Sequence, residues 1–262
     1  MKTILITGAT DGLGKALALD FADKGHTLLL HGRNPQRGEN LIKEVRETTG
    51  NPNLTYYNAD FADMAQIKAV AAQILTDQAR LDVLINNAGL GAEPERRESH
   101  DGIERIFQVD YLSTYAMTKL LLPLLVQSAP SRVVNVASAG QAPIDFSDPM
   151  LVRNYSGIQA YCQSKLAQIT FTMELAPALQ SQGVIINALH PATYMPTKIV
   201  PNPISQIEDG VRSVAKLALD ENMATTTGKY FSETREAQAH TQAYDPQARQ
   251  QLIELSFRLC GI

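Results

Sequence analysis

The chain predicts an α/β fold, a doubly wound seven-stranded parallel sheet in a single domain over residues 1–262, on three observations. Apolar, β-branched runs alternate with helix-period stretches from end to end, and regular strand–helix alternation implies a parallel sheet covered on both faces. The chain opens on such a unit, with Ile4 to Ile6 running into a turn that carries Gly8, Gly12 and Gly14 and starts a helix. Two long proline-bearing loops, 139–156 and 191–203, follow strand ends, where open α/β sheets place ligands.

In order, the apolar run at 4–7 is the first strand, and Leu13, Leu17 and Phe21 mark the sheet-facing side of a helix over 13–24. A strand over 27–31, a helix over 35–49, a strand over 54–58 and a helix over 64–79 follow. The strand 83–86 ends in Asn86-Asn87-Ala88-Gly89, and a long helix spans 102–126. Its apolar run 120–126 is interrupted by Pro123 and is far too short to span a bilayer. The strand 132–137 ends at Ser138, and the helix 159–181 leads to the strand 184–190. A helix over 205–219 and a strand over 229–231 complete the alternation. The last helix, 246–259, carries leucines at helical spacing after Asp245 and reads as a packing or dimerising element. No repeat or linker divides the chain.

Composition narrows the function classes. At 44% hydrophobic and 19% charged, the 262 residues suffice for a full core. A net charge of −4 gives no electrostatic case for nucleic acid or an anionic membrane. Two cysteines, Cys162 and Cys260, fit a reducing compartment. The N-terminal apolar run is too short for a signal peptide, so a soluble cytoplasmic protein is expected, with homo-oligomerisation open.

Several constellations could carry chemistry. The glycine turn before the first helix suits a pyrophosphate, because helix N-termini present unpaired N–H groups and glycines let the backbone approach. Its G-x-x-x-G-x-G spacing differs from the G-x-G-x-x-G dinucleotide pattern. Tyr-x-x-x-Lys puts a phenol and an ammonium one helical turn apart, and a nearby cation favours a phenolate. The pattern occurs as Tyr115/Lys119, Tyr161/Lys165 and Tyr194/Lys198. Pro196 disrupts the third, and Tyr115 lies midway along its helix, below the ligand edge. Tyr161 opens the helix after the fifth strand, beside Ser138, so Ser138, Tyr161 and Lys165 form one candidate site. Arg33, after the second strand, stands where an acidic residue would select NAD, and an arginine accommodates the 2′-phosphate of NADP. Asp60 could accept from an adenine amine or cap the next helix. The five histidines show no metal-ligand spacing, so no metal is expected. Val136-Ala137-Ser138-Ala139-Gly140 lacks the first glycine of a hydrolase elbow.

Taken in order, Thr7–Gly14, Asn86–Gly89, Ser138 and Tyr161-Cys-Gln-Ser-Lys165 resemble the short-chain dehydrogenase/reductase superfamily. Residues 160–175 and the long gap from Ser138 to Tyr161 resemble its retinol dehydrogenase-like branch. The resemblance implies a Rossmann fold and an NAD(P)-dependent oxidoreductase interconverting a carbonyl and its alcohol; Arg33 favours NADP with NAD admissible, and Phe146, Met150, Tyr155, Tyr194 and Met195 on the two long loops either suggest a partly apolar substrate or pack the loops down. It implies a catalytic set of Ser138 toward the substrate oxygen, Tyr161 as proton donor or acceptor, Lys165 lowering its pKa and holding the nicotinamide ribose, and Asp110. It implies a cofactor site of Thr7, Gly8, Thr10, Asp11, Gly12, Leu13, Gly14, Arg33, Asp60, Phe61, Asn87, Ala88, Gly89, Tyr161, Lys165, Pro191 and Thr193. Two residues depart from the family pattern. Asp110 stands for the family's catalytic asparagine: it can substitute if the backbone carbonyl, which helps hold a water near the lysine, is what acts, and it alters the proton relay if the side chain acts; Ala192 stands for the glycine after Pro191. These departures motivate a rival reading, a non-catalytic dinucleotide-binding sensor or scaffold.

Overall fold

The strands of the computed structural model, which describes residues 1–196 and 202–262, form one sheet of eight in the order β3-β2-β1-β4-β5-β6-β7-β8. They are β1 (Thr3–Ile6), β2 (Thr27–Gly32), β3 (Leu54–Asn58), β4 (Val83–Asn86), β5 (Ser131–Val136), β6 (Val184–His190), β7 (Tyr230–Ser232) and β8 (Arg235–Glu236). The helices are α1 (Gly12–Asp23), α2 (Pro35–Thr49), α3 (Met64–Asp77), α4 (Ser113–Gln127), α5 (Gly157–Gln180), α6 (Ile207–Leu219) and α7 (Pro246–Cys260). Lys198 and the middle of the 191–203 loop lie outside the described residues.

Alternation along each strand decides the layers, because successive side chains leave opposite faces. Ile4, Ile6, Leu28, Leu30, Val83, Ile85, Val134 and Val136 pack with residues of α1, α2 and α6. Leu5, Leu29, Leu84, Val133 and Ile186 pack against α3, α4, α5 and α7. Burial on both faces explains why the strands read as continuous apolar runs.

Three expectations need correction. The sheet has eight strands, and β8 pairs antiparallel with β7 through Phe231↔Glu236 and Ser232↔Arg235. An exposed two-residue Arg–Glu edge has no apolar signature. The seventh strand covers Tyr230–Ser232 instead of 229–231. The long helix does not begin at 102, where Gly102 has φ +72. A Glu98↔Glu104 bridge closes that turn, and a π-helical stretch, Phe107–Leu112, precedes α4.

The terminal helix packs. Asp245 caps α7 by accepting from the Gln247 N–H at 2.9 Å, and Leu252 and Leu255 are buried. Tyr111 Oη and Ser256 Oγ share a 2.6 Å hydrogen bond, and Tyr115 Oη donates to the Ile262 carbonyl at 2.7 Å. Tyr115 is thereby committed away from Tyr161. Among the described residues, no helix is long and apolar enough to cross a membrane.

The sheet order reverses between β1 and β4. Open α/β folds bind ligands at such a switch point, beyond the carboxyl ends of the strands. Here it brings the turn after Ile6 beside the turn after Asn86.

Candidate active site

The two turns are stitched together by their own side chains. Thr7 Oγ1 accepts from the N–H groups of Asn87 (2.9 Å) and Ala88 (3.0 Å) and donates to the Ile85 carbonyl (3.3 Å). One donor and two acceptor sites exhaust a hydroxyl. Thr7, buried and saturated, therefore holds the turn and offers no side-chain contact to a cofactor. Asn87 Nδ2 donates to the carbonyls of Thr7 (2.9 Å) and Gly8 (3.2 Å).

Gly8 has φ +65, and a Cβ there would stand 2.7 Å from Ala88 Cα. A Cβ at Gly14 would collide with the Gly8 carbonyl and lie 2.7 Å from Asn87 Nδ2. The turn is therefore a bare-backbone cradle at the N-terminus of α1, and this fits a pyrophosphate. Asp11 caps α1, accepting from the Gly12 N–H at 2.9 Å, and pairs with Arg37 at 3.0 Å. Leu13 points into the core, and Thr10 Cγ2 lies 2.7 Å from where a Cβ of Gly32 would stand.

Arg33 and Asp60 meet in one cavity of about 190 Å³, shared with Ala62, Leu90 and Val109. Glu98, Ser99, His100 and Arg105 complete its wall, which is mostly polar. Asp60 does not cap α3; that is Asp63, while Asp60 Oδ1 accepts from the Ala62 N–H at 2.9 Å. A larger hollow of about 420 Å³, lined by α2 residues and Tyr56, shares no residue with either turn or with Tyr161.

Histidine 31 was not among the expected site residues, and it braces this end. Its Nδ1 accepts from the Gly8 N–H at 3.3 Å, so Nε2 donates to the Ala59 carbonyl at 3.1 Å. Its ring stacks on Phe61 at 4.0 Å between centroids. Burial lowers its pKa to about 4, which keeps it neutral. Phe61 is itself buried, so its ring supports His31.

At the other end, Ser138 follows β5. Its Oγ accepts from the Gly140 N–H at 3.0 Å, and its carbonyl accepts from Tyr230 Oη (3.1 Å) and Gln141 Nε2 (3.2 Å). The Gly140 bond occupies a lone pair of Oγ and leaves its proton to be donated elsewhere. A Cβ at Gly140 would lie 3.5 Å from Ser138 Oγ and 3.7 Å from Tyr161 Cε1, so both side chains flank this glycine. Sequence reasoning missed Gly140, because its part appears only when the loop folds back on α5.

One turn along α5, Lys165 Nζ stands 5.5 Å from the Tyr161 ring centroid. Tyr161 is partly exposed, whereas Lys165 is 5% exposed. Its ammonium donates to the Val136 carbonyl at 3.5 Å and lies 3.0 Å from Asp110 Oδ2. The other Asp110 oxygen accepts from the Leu90 N–H at 2.7 Å. The Asp110 backbone carbonyl accepts the Thr114 hydroxyl at 2.9 Å, so it is the side chain that reaches the lysine. A Cβ at Gly89 would lie 3.2 Å from both Lys165 Nζ and Asp110 Oδ2, so glycine lets this turn pack closely against the pair. Burial works to lower the Lys165 pKa, but the Asp110 carboxylate and then Tyr161 outweigh it, and the net direction is upward. Burial raises Asp110, and Lys165 opposes that rise. We take the pair as ionised, since each charge has its partner at contact distance.

On the third loop, Pro191 and Ala192 are buried, and Thr193 Oγ1 shares a 3.0 Å hydrogen bond with His190 Nε2. Tyr194 is exposed with φ +49. The structure thus gathers Ser138, Tyr161, Lys165 and Asp110 at one end and the Gly8–Gly14 turn, Arg33, Asp60, Asn87, Ala88 and Gly89 along one sheet edge.

Comparison with known proteins agrees. A family profile described as short chain dehydrogenase matches residues 2–208. Retinol dehydrogenase 13 of Homo sapiens is 35% identical, over 100% of this chain and 85% of its own. Dehydrogenase/reductase SDR family member 13 of Homo sapiens is 32% identical, over 100% of this chain and 74% of its own. Among solved structures, an uncharacterized protein of Mycobacterium Paratuberculosis superposes with TM-score 0.80 at 26% identity, covering 100% of this chain and 94% of that one. NADPH bound carbonyl reductase from chicken fatty liver shares the fold, with TM-score 0.73 at 20% identity over 92% and 99% of the two chains.

Proposed function

The chain belongs to the short-chain dehydrogenase family, and from that premise we propose that it interconverts a carbonyl and an alcohol with NADP as the preferred coenzyme. The observation that carries this reading is the convergence of Ser138, Tyr161 and Lys165 at the carboxyl ends of the strands, at the same sheet edge as the glycine cradle.

The Gly8–Gly14 turn would hold the pyrophosphate, the Arg33–Asp60 cavity the adenosine, and Lys165 beside Gly89 the nicotinamide ribose. When bound, the coenzyme supplies or takes the hydride. Ser138, its lone pair already engaged by Gly140, donates to the substrate oxygen. Tyr161 gives that oxygen its proton in reduction and removes it in oxidation, with Lys165 as the adjacent cation. The exposed side chains Val152, Ile158, Tyr194 and Ile204 on the flanking loops and helix start support a partly apolar substrate. A relative at 35% identity is named for retinol, and apolar alcohols and aldehydes of that kind are the first substrates to try. The free thiols of Cys162 and Cys260 support a reducing, cytoplasmic setting.

The test is turnover over a panel of aldehydes, ketones and alcohols, followed by nicotinamide absorbance. Tyr161→Phe is expected to lose roughly a hundred- to ten-thousandfold in kcat while still binding coenzyme. Full activity in that variant would sink the mechanism, and coenzyme binding without turnover in the native protein would favour a sensor. Arg33→Ala is expected to weaken NADP binding about ten- to a hundredfold and leave NAD unchanged. An unchanged NADP-to-NAD ratio would remove the coenzyme preference.

A further inference from the structure

We propose that Asp110 is a positioning residue whose carboxylate keeps Lys165 in its ammonium form and fixes where that ammonium stands. The inference builds on the reading of Tyr161 and Lys165 given above.

A lysine as buried as this one tends to lose its proton, because the interior disfavours the charged form. Among the described residues, Lys165 meets one opposite charge at contact distance, Asp110 at 3.0 Å. Its other neighbours are the Val136 carbonyl from β5 and the ring of Tyr161 from its own helix. The remaining carboxylates on that side are engaged elsewhere. Glu93, in the segment after β4, pairs with Arg105, and Glu104 accepts from the N–H groups of Ile106 (3.1 Å) and Phe107 (2.7 Å). Tyr230, from β7, sits on the far side of Ser138, donating to its carbonyl.

The carboxylate is itself held rigidly. Asp110 is 0% exposed, its second oxygen takes the Leu90 N–H, and its backbone lies in the π-helical stretch before α4. An asparagine could keep the Leu90 bond but would leave the buried cation uncompensated. Gly89 packs against both charges, since a Cβ there would stand 3.2 Å from each. The carboxylate and the ammonium are thus held together between the Gly89 turn, β5 and α5.

The experiment is an NMR titration of lysine side chains in protein labelled with 13C-lysine, with Lys165 assigned from Lys165→Met. Wild type, Asp110→Asn and Asp110→Glu are compared without coenzyme. Wild-type Lys165 is expected to stay protonated at pH 10. In Asp110→Asn its midpoint falls by at least about one unit, and Asp110→Glu restores it. Where turnover is measurable, Asp110→Asn acquires an alkaline fall in kcat at the same pH. Equal Lys165 midpoints in wild type and Asp110→Asn would overturn the proposal. If Asp110→Asn does not fold, the wild-type titration decides, since loss of the Lys165 proton below pH 9 also overturns it. A shifted midpoint in a protein inactive on the whole panel would sink the oxidoreductase reading and leave the role of Asp110 standing.

Discussion

The two ends of the site are built on opposite plans. The coenzyme end spends its polar groups on itself: Thr7 saturates its hydroxyl between β1 and β4, Asn87 reaches back to two carbonyls, and His31 ties the Gly8 N–H to Ala59. What it leaves for a ligand is bare backbone and a shaped cavity. The other end carries loops that bond locally, as Asp148 does with the N–H groups of Val152 and Arg153, and still expose apolar side chains. Val152, Tyr194 and Ile204 are exposed, and Leu151 and Tyr194 both hold positive φ. Such φ values are costly for non-glycine residues and collect at functional loops. A fixed backbone shape suits one invariant ligand, whereas exposed side chains on loops can be exchanged without disturbing the sheet. The same contrast explains why the residues announce a dinucleotide and do not name its redox partner.

Three measurements would break or sharpen this contrast. The largest effect is expected from His31. Its folded pKa of about 4 lies below the unfolded value near 6.5, so the unfolded state binds the extra proton between those limits. Stability should therefore be retained above pH ~6.5 and be lost as pH falls through that window, by ~3 kcal/mol in total. Urea midpoints from pH 7 to pH 4 would show it, and His31→Gln should flatten the slope. A slope unaltered by that substitution would mean the brace contributes nothing.

Next comes Gly14→Ala. The added methyl meets the Gly8 carbonyl and Asn87 Nδ2 in a turn with no slack. About 1–3 kcal/mol of stability should go, together with dinucleotide binding measured by calorimetry. A variant that bound normally would show the cradle to be more pliant than its hydrogen bonds indicate.

The smallest effect is expected at the other end. Tyr194→Gly removes an exposed ring and relieves its positive φ. Stability should stay level or rise by less than about 1 kcal/mol, with the substrate KM altered and the coenzyme KM unchanged. A large loss of stability would place this loop with the rigid end after all.

What could be read beforehand follows the same divide. The layered sheet was legible because Ile4, Leu5 and Ile6, or Leu28, Leu29 and Leu30, are apolar at every position, as burial on both faces demands. Ser138 and the Tyr161–Lys165 pair were legible because strand ends and helical spacing place them by local rules. His31 and Gly140 were not, because their parts depend on residues that fold brings near from elsewhere in the chain. The exposed Arg235–Glu236 strand has no apolar side to announce it. The contact between Asp110 and Lys165 was equally hidden. Aspartate for asparagine flagged the position, but direct side-chain contact with the lysine depends on how α5 and the turn before α4 meet.

The wide winding at Phe107–Leu112 carries a consequence for how this lineage could change. A π-helical stretch accommodates one more residue than an ordinary turn. Deleting a single residue there would restore regular winding with the flanks still in phase, and would turn the residues inside the stretch to new directions. Asp110 would swing off the lysine although every chemical group survived. The lysine's companion can thus be gained or dismissed by a change of length, with no exchange of side chains.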